Sequence, residues 1–207
     1  MTANPFDKKA REWDRPPRRM EMASVFADRI RQHIPLSTSM DLLEFGCGTG
    51  QVGLQLSPSV RRIHLVDTSP GMLEVLQEKI RDRGIANMKL HCGEIFDLPL
   101  TEKRFDLIYS LMALHHIPAI SPLLLHFQRL LKKGGHLCIG DLEPEDGLFH
   151  ETDVEVHHGF AIPELSRLLE ESGFAVTAAD RMHILSKTDR NGRLRDYPLF
   201  FLAARKN

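Results

Sequence analysis

Two acidic positions beside a glycine turn are the residues most suited to chemistry. Glu44 is followed by Phe45-Gly46-Cys47-Gly48-Thr49-Gly50, and Asp67 stands 23 residues after Glu44. Glycines at alternate positions let a backbone turn sharply and approach a ligand that a Cβ would exclude. A helix opening behind the turn would point free N–H groups at that ligand. A carboxylate just before the turn suits a ligand carrying an ammonium group and would repel a pyrophosphate. An acid at the end of the next strand accepts hydrogen bonds from the two hydroxyls of a ribose. The ligand expected is an amino acid joined to a nucleoside.

The histidine pairs His115-His116 and His157-His158 raise the question of a metal. Adjacent residues point in different directions on a helix or a strand, and neither pair has the i, i+4 spacing of a helical zinc site. No metal is therefore expected. His116, His157 and His158 remain as candidates for a base or a substrate contact, with His115 as a wall of the pocket. Cys47, Cys92 and Cys138 lack a CxxC spacing and lie in or beside apolar stretches, which reads as buried, reduced thiols in a cytoplasm.

The elements that must hold these residues alternate between short apolar runs and amphipathic segments, the pattern of a mostly parallel sheet with helices on both faces. A strand from Met40 to Phe45 enters the glycine turn, and Val52, Leu54 and Leu56 open a helix stopped by Pro58. Ile63 to Asp67 is a second strand. Ser69 and Pro70 then cap and start a helix with Met72, Leu73, Leu76 and Ile80 on one face, which Gly84 ends. Further strands are expected over Met88 to Cys92, Phe105 to Ser110 and His136 to Asp141, with a helix from Ser121 through Leu131 before Gly134-Gly135. Glu143 to Glu155 is acidic, is broken by Pro144 and Gly147, and reads as an exposed lid. A helix over Pro163 to Ser172 follows. Phe174 to Ser186 and Tyr197 to Ala204 read as an antiparallel hairpin joined by Lys187 to Asp196.

An ammonium-bearing amino acid on a nucleoside, without phosphate, describes S-adenosylmethionine. The segments LLEFGCGTG, LVDTSPGML, CGEIFDLPL, FDLIYSLMALHHI and LLKKGGHLCIGD resemble, in order and spacing, the motifs of class I S-adenosylmethionine-dependent methyltransferases over Met40 to Asp141. The resemblance implies a three-layer Rossmann-like methyltransferase fold, α/β, with a mostly parallel seven-stranded sheet and a C-terminal antiparallel hairpin. It implies one domain over 1–207: an N-terminal helical arm or lid at 1–35, a cofactor-binding core at 40–141, and a lid loop, helix and hairpin at 142–207.

Carried over by position, the resemblance has Glu44, Phe45, Gly46, Cys47, Gly48 and Gly50 shaping the methionine end of the cofactor and Asp67 binding the ribose. Thr68 and Met72 would flank the adenosine. Glu94 would stand where the family contacts the adenine amino group, with the Ile95 N–H offered to a ring nitrogen. Ser110, Leu111 and His115 would face the methionine moiety. Phe6 to Asp14 looks like the N-terminal segment of small-molecule members, in which an aromatic closes over the cofactor, and here that aromatic would be Trp13.

A rival reading is nicotinamide binding through a GxGxxG match at Gly48, Gly50 and Gly53. The strand ends at Gly46, two residues early for that match, and Glu44 opposes a pyrophosphate. The bulk numbers agree with a small-molecule enzyme. In 207 residues the formal net charge is -1, so no global field draws the chain to nucleic acid or anionic lipid. The basic residues of the N-terminal segment are interleaved with Asp7, Glu12 and Asp14. No stretch has the length or apolarity of a membrane span. The expected partner is a small-molecule methyl acceptor, with methyl transfer to RNA or protein, or cofactor binding without turnover, as alternatives. Oligomeric state stays open.

Overall fold

The computed structural model describes residues 4–100, 102–150 and 157–207. Its sheet has seven strands in the order β3-β2-β1-β4-β5-β7-β6, with β1 at Asp41–Phe45, β2 at Arg62–Asp67, β3 at Met88–Cys92, β4 at Phe105–Leu111, β5 at Leu131–Leu142, β6 at Phe174–Thr188 and β7 at Leu194–Lys206. The first five strands pair in parallel, and β7 runs antiparallel between β5 and β6. This is the Rossmann-like methyltransferase architecture expected from the sequence.

Helices cover both faces because the parallel strands are apolar on both. Every residue of β1 is buried, as strands sandwiched between helical layers require. On one face Phe26, Ala27 and Ile30 of α1 (Pro17–His33), Leu54 and Leu56 of α2 (Gln51–Leu56) and Leu73, Leu76 and Ile80 of α3 (Pro70–Asp82) pack against Leu42, Ile63 and Leu65. On the other, Leu123, Leu124 and Phe127 of α4 (Ile120–Leu130) and Leu165 and Leu169 of α5 (Ile162–Glu171) pack against Leu43, Ile108 and Leu137. Ser69 caps α3 by accepting the Met72 N–H at 3.2 Å, and Pro70 opens the helix.

Three expectations need correction. β5 begins at Leu131, not His136, because Leu131 pairs with Phe105 before an irregularity that brings Leu107 opposite His136. The hairpin strands are longer than expected, pairing through Thr188 and Leu194, so the connection shrinks to residues 189–193. Cys92 is exposed, because β3 is an edge strand, while Cys47 and Cys138 are buried; all three are free thiols. Of the lid expected over Glu143 to Glu155, residues 151–156 lie outside the described residues. No helix among the described residues is long and apolar enough to cross a membrane.

Candidate active site

The glycine turn leaves the C-terminal end of β1 and is pinned to the end of β2. The Gly46 and Cys47 amides both donate to the Val66 carbonyl, at 2.9 and 3.0 Å, the Gly48 amide donates to Asp67 Oδ2 at 2.7 Å, and the Gly50 amide closes a turn onto the Cys47 carbonyl. The amides of the turn itself, as distinct from those of the helix behind it, are thus already paired. These four are consumed in holding the loop, so what it offers a ligand is a backbone surface without Cβ atoms. Gly46, Gly48 and Gly50 all have left-handed φ, at 67°, 51° and 74°. A Cβ on Gly46 would lie 2.3 Å from that of Ala113, so β1 and the segment after β4 approach closely only because it is glycine.

Asp67 is the hinge of the arrangement. One carboxylate oxygen accepts from Gly48 and the other from the Ser69 amide at 2.8 Å, and the side chain is only partly buried. A carboxylate has about four acceptor sites, so the Gly48, Ser69 and Thr68 N–H groups do not exhaust it, and capacity remains for a hydroxyl approaching from outside. Burial pushes its pKa up, against the pull of the Ser69 and Gly48 N–H groups.

Glu44 points under the loop. Its Oε2 accepts the Tyr109 hydroxyl at 3.1 Å, and a Cβ on Gly53 would come within 2.5 Å of it. Burial drives its pKa up to about 8, with the Tyr109 and Gly53 hydrogen bonds opposing that rise. Gly53, the last member of the GxGxxG match, thus serves close packing of α2 onto β1. Its neighbours are Glu44, Leu65 and Met88.

The N-terminal segment covers this end of the sheet. Asp7 Oδ1 accepts the Ser69 hydroxyl at 2.6 Å and the Gly71 amide at 3.0 Å, and Asn4 donates to the Thr68 hydroxyl at 3.1 Å. Asp14 accepts the Thr49 hydroxyl at 2.7 Å and pairs with Lys79, whose ammonium also donates to the Thr49 carbonyl at 2.9 Å. Trp13 lies over the turn, with Nε1 3.9 Å from where a Gly48 Cβ would be, edge-on to Phe6 and under the Arg19 guanidinium at 3.6 Å. The N-terminal segment, the glycine turn, Asp67 and Thr68 thus meet at this end of the sheet, with Met72, 2% exposed, in the first turn of α3 behind Ser69.

Beside them is a second cluster. His115 and His116 sit in a short 3-10 turn, Leu114–His116, following β4, and Asp141 lies in β5. Asp141 accepts from His115 Nδ1 at 2.6 Å and from the His115 amide at 3.3 Å. His116 packs edge-on against Phe6, 5.4 Å between centroids. Burial pushes His116 down to about 3 and His150 down to about 4, so both imidazoles are neutral at pH 7.

The comparisons fit this geometry. A family model described as a methyltransferase domain matches residues 43–139, from the middle of β1 to the middle of β5. Over that segment the chain is similar to class I S-adenosylmethionine-dependent methyltransferases. The methyltransferase YcgJ of Bacillus subtilis is 30% identical over 132 residues, covering 63% of this chain and 51% of its own length. The demethylmenaquinone methyltransferase of Staphylococcus aureus is 28% identical over 156 residues, covering 73% of this chain and 64% of its own. A solved structure of a SAM-dependent methyltransferase from Aquifex aeolicus superimposes with a TM-score of 0.73 at 19% identity, over 97% of this chain and 98% of that one. The match spans 34%, 51% and 50% of the first three curated relatives.

The remaining residues expected in the methyltransferase site are less uniform. Glu94 is exposed just after β3, and Ile95 is buried beneath it at 2% exposure. Ser110 is fully buried and donates to the Phe45 carbonyl at 3.0 Å, tying β4 to β1, while Leu111 is half-buried and packs with the α1–α3 side of the core. Phe45 packs on the opposite face against Phe127. His157 donates its amide to the His115 carbonyl at 2.8 Å, and its Nε2 bonds the Ile117 carbonyl; His158 is exposed. His157 also lines a shallow hollow of about 330 Å³ with Ile120, Phe160 and Leu165, on the α4–α5 side of the molecule. Sequence reasoning missed His150, which joins His115 and His116 from the loop after β5. No local spacing marks it, and only the fold brings it there.

Proposed function

We propose that this chain transfers a methyl group from S-adenosylmethionine to a nucleophilic atom of a small-molecule acceptor. The observation that carries the reading is the Asp67 carboxylate, held by Gly48 and Ser69, partly exposed, and flanked by a turn of left-handed glycines under Trp13. That cradle fits a nucleoside bearing an amino acid. Asp67 would take the ribose hydroxyls, Gly46 to Gly50 would let the methionine end lie on the backbone, and Thr68 and Met72 would border the base. Bound there, S-adenosylmethionine supplies a methyl carbon activated by a sulfonium.

The chain's own contribution is placement and exclusion of water. Orienting a nucleophile is worth up to roughly 7–11 kcal/mol in the best intramolecular cases. The N-terminal segment that seals the turn supplies the cover, and Phe6, touching both Trp13 and His116, joins the cofactor side to the acceptor side. A small acceptor is supported by a relative named for demethylmenaquinone and by a net charge of -1, which favours no polyanion.

Calorimetric titration with S-adenosylmethionine, S-adenosylhomocysteine and NAD tests the reading, on wild type and on Asp67→Asn and Asp67→Ala. Each hydrogen bond to a charged carboxylate is worth about 1.5–3 kcal/mol, so Asp67→Ala should weaken both sulfur nucleosides by about 100-fold or more. Binding of NAD with no binding of either sulfur nucleoside would overturn the proposal.

A further inference from the structure

The His115, His116 and His150 rings form a compact group, with centroids 4.2 Å apart for His115 and His116 and 5.2 Å from each of these to His150. One ligand nitrogen of each lies within 4.8 Å of the others. Adjacent histidines would diverge on a helix or strand, but the 3-10 turn after β4 brings the two rings side by side. That local geometry removes the argument against a metal drawn from their spacing.

Three further observations point to a ligand. His115 is 1% exposed, and its Nδ1 is committed to Asp141, itself fully buried, which leaves Nε2 with the free lone pair. A carboxylate on the far nitrogen is the second-sphere arrangement that orients metal-bound imidazoles. His150 Nε2 is buried without a hydrogen-bond partner, a cost that a bound cation would remove. The three rings also bring no carboxylate into their own set, and imidazole sets of this kind suit zinc and its neighbours rather than magnesium or calcium.

We propose that His115, His116 and His150 bind a divalent transition-metal ion of the zinc type, with Asp141 as the positioning residue for His115. Zinc–imidazole bonds are about 2.0–2.1 Å, which sets tetrahedral ligand nitrogens roughly 3.3 Å apart. The ligand nitrogens, within 4.8 Å of one another, therefore close by up to about 1.5 Å on binding, and His150, on the loop turned at Gly147 with φ 79°, is the one placed to move. Three protein ligands leave the fourth position open. Because His116 touches Phe6, which touches Trp13, that position stands next to the covered cofactor cradle. An acceptor hydroxyl or thiol bound to the metal would lose its proton to solvent at lower pH, a consequence that rests on the methyl-transfer reading.

The test uses the full chain stripped with chelator and titrated with Co²⁺, followed by visible absorption, then with Zn²⁺ in competition. One equivalent of Co²⁺ with the intense spectrum of four-coordinate cobalt is expected, displaced by Zn²⁺. His150→Ala, at a half-buried loop position, should lower affinity at least 100-fold, and Asp141→Asn 10- to 100-fold. His158→Ala should leave it unchanged. Absence of stoichiometric binding overturns the proposal. So does binding that survives His150→Ala but disappears in His91→Ala, which would assign it to the stacked His64–His91 pair. The sulfur-nucleoside titration on the same preparations separates the two readings, since cofactor binding without metal sinks only the metal site, and metal without cofactor only the methyl transfer.

Discussion

Replacing Glu44 by glutamine isolates the cost of an acid buried beneath the glycine turn. Glu44 is 4% exposed, and its carboxyl is pushed from 4.5 to about 8, first by burial, with Tyr109 and Gly53 opposing. An acid whose folded pKa is raised contributes its full stability below the unfolded pKa and loses it as pH rises through the folded pKa. At about 1.4 kcal/mol per pH unit, the span from 4.5 to about 8 takes about 5 kcal/mol from the wild type by pH 8. Glutamine keeps an oxygen to accept the Tyr109 hydroxyl and has no proton to lose. Urea unfolding of both proteins from pH 5 to pH 8.5, without nucleoside, measures the difference directly. The stability of Glu44→Gln relative to wild type should climb steadily with pH and level off above about 8. A difference independent of pH would show that Glu44 titrates alike in both states and refute the argument from burial.

Other outcomes follow from single contacts. Gly46→Ala should destabilise the protein far more than Gly84→Ala, since both have left-handed φ but only Gly46 meets a neighbour, 2.3 Å from Ala113; equal losses in denaturant would contradict this. The left-handed penalty common to both is about 1–2 kcal/mol. Fluorescence of Trp13, the sole tryptophan, should change on titration with S-adenosylhomocysteine and vanish in Trp13→Phe; an unaltered spectrum would remove the lid role. His64 is pushed down to about 4 by burial and then by His91, so its stabilising contribution holds above pH 6.5 and is lost as pH falls toward 4. The midpoint of thermal unfolding of His64→Leu should accordingly fall less steeply between pH 6.5 and 4 than that of wild type, and parallel curves would count against it.

Features governed by local pattern were legible in the sequence. β1, its glycine turn, β2 and the Ser69-Pro70 helix start are marked by apolar runs, by glycines and by a capping residue, and the structure places them as read. What depended on pairing between distant segments was not. Leu131 joins β5 because Phe105 lies opposite, Cys92 is exposed because β3 is the edge strand among the described residues, and the Gly46, Cys47 and Gly48 amides are occupied because the end of β2 reaches them. His150 is the clearest case, since its meaning comes from a turn 34 residues earlier.

The placing of β7 between β5 and β6 has a consequence for how the chain reaches this state. The parallel strands β1 to β5 close against one another as they follow in sequence, but that half-built sheet ends in the buried run Leu137 to Leu142, whose backbone groups await Leu199 to Ala204. An unpaired apolar edge of that length invites another chain. The β6–β7 hairpin must therefore dock before a neighbouring molecule does, which makes its formation a step in competition with aggregation. Variants that weaken the hairpin should reveal themselves first as lost yield on refolding at high protein concentration, before any loss of stability in the molecules that succeed.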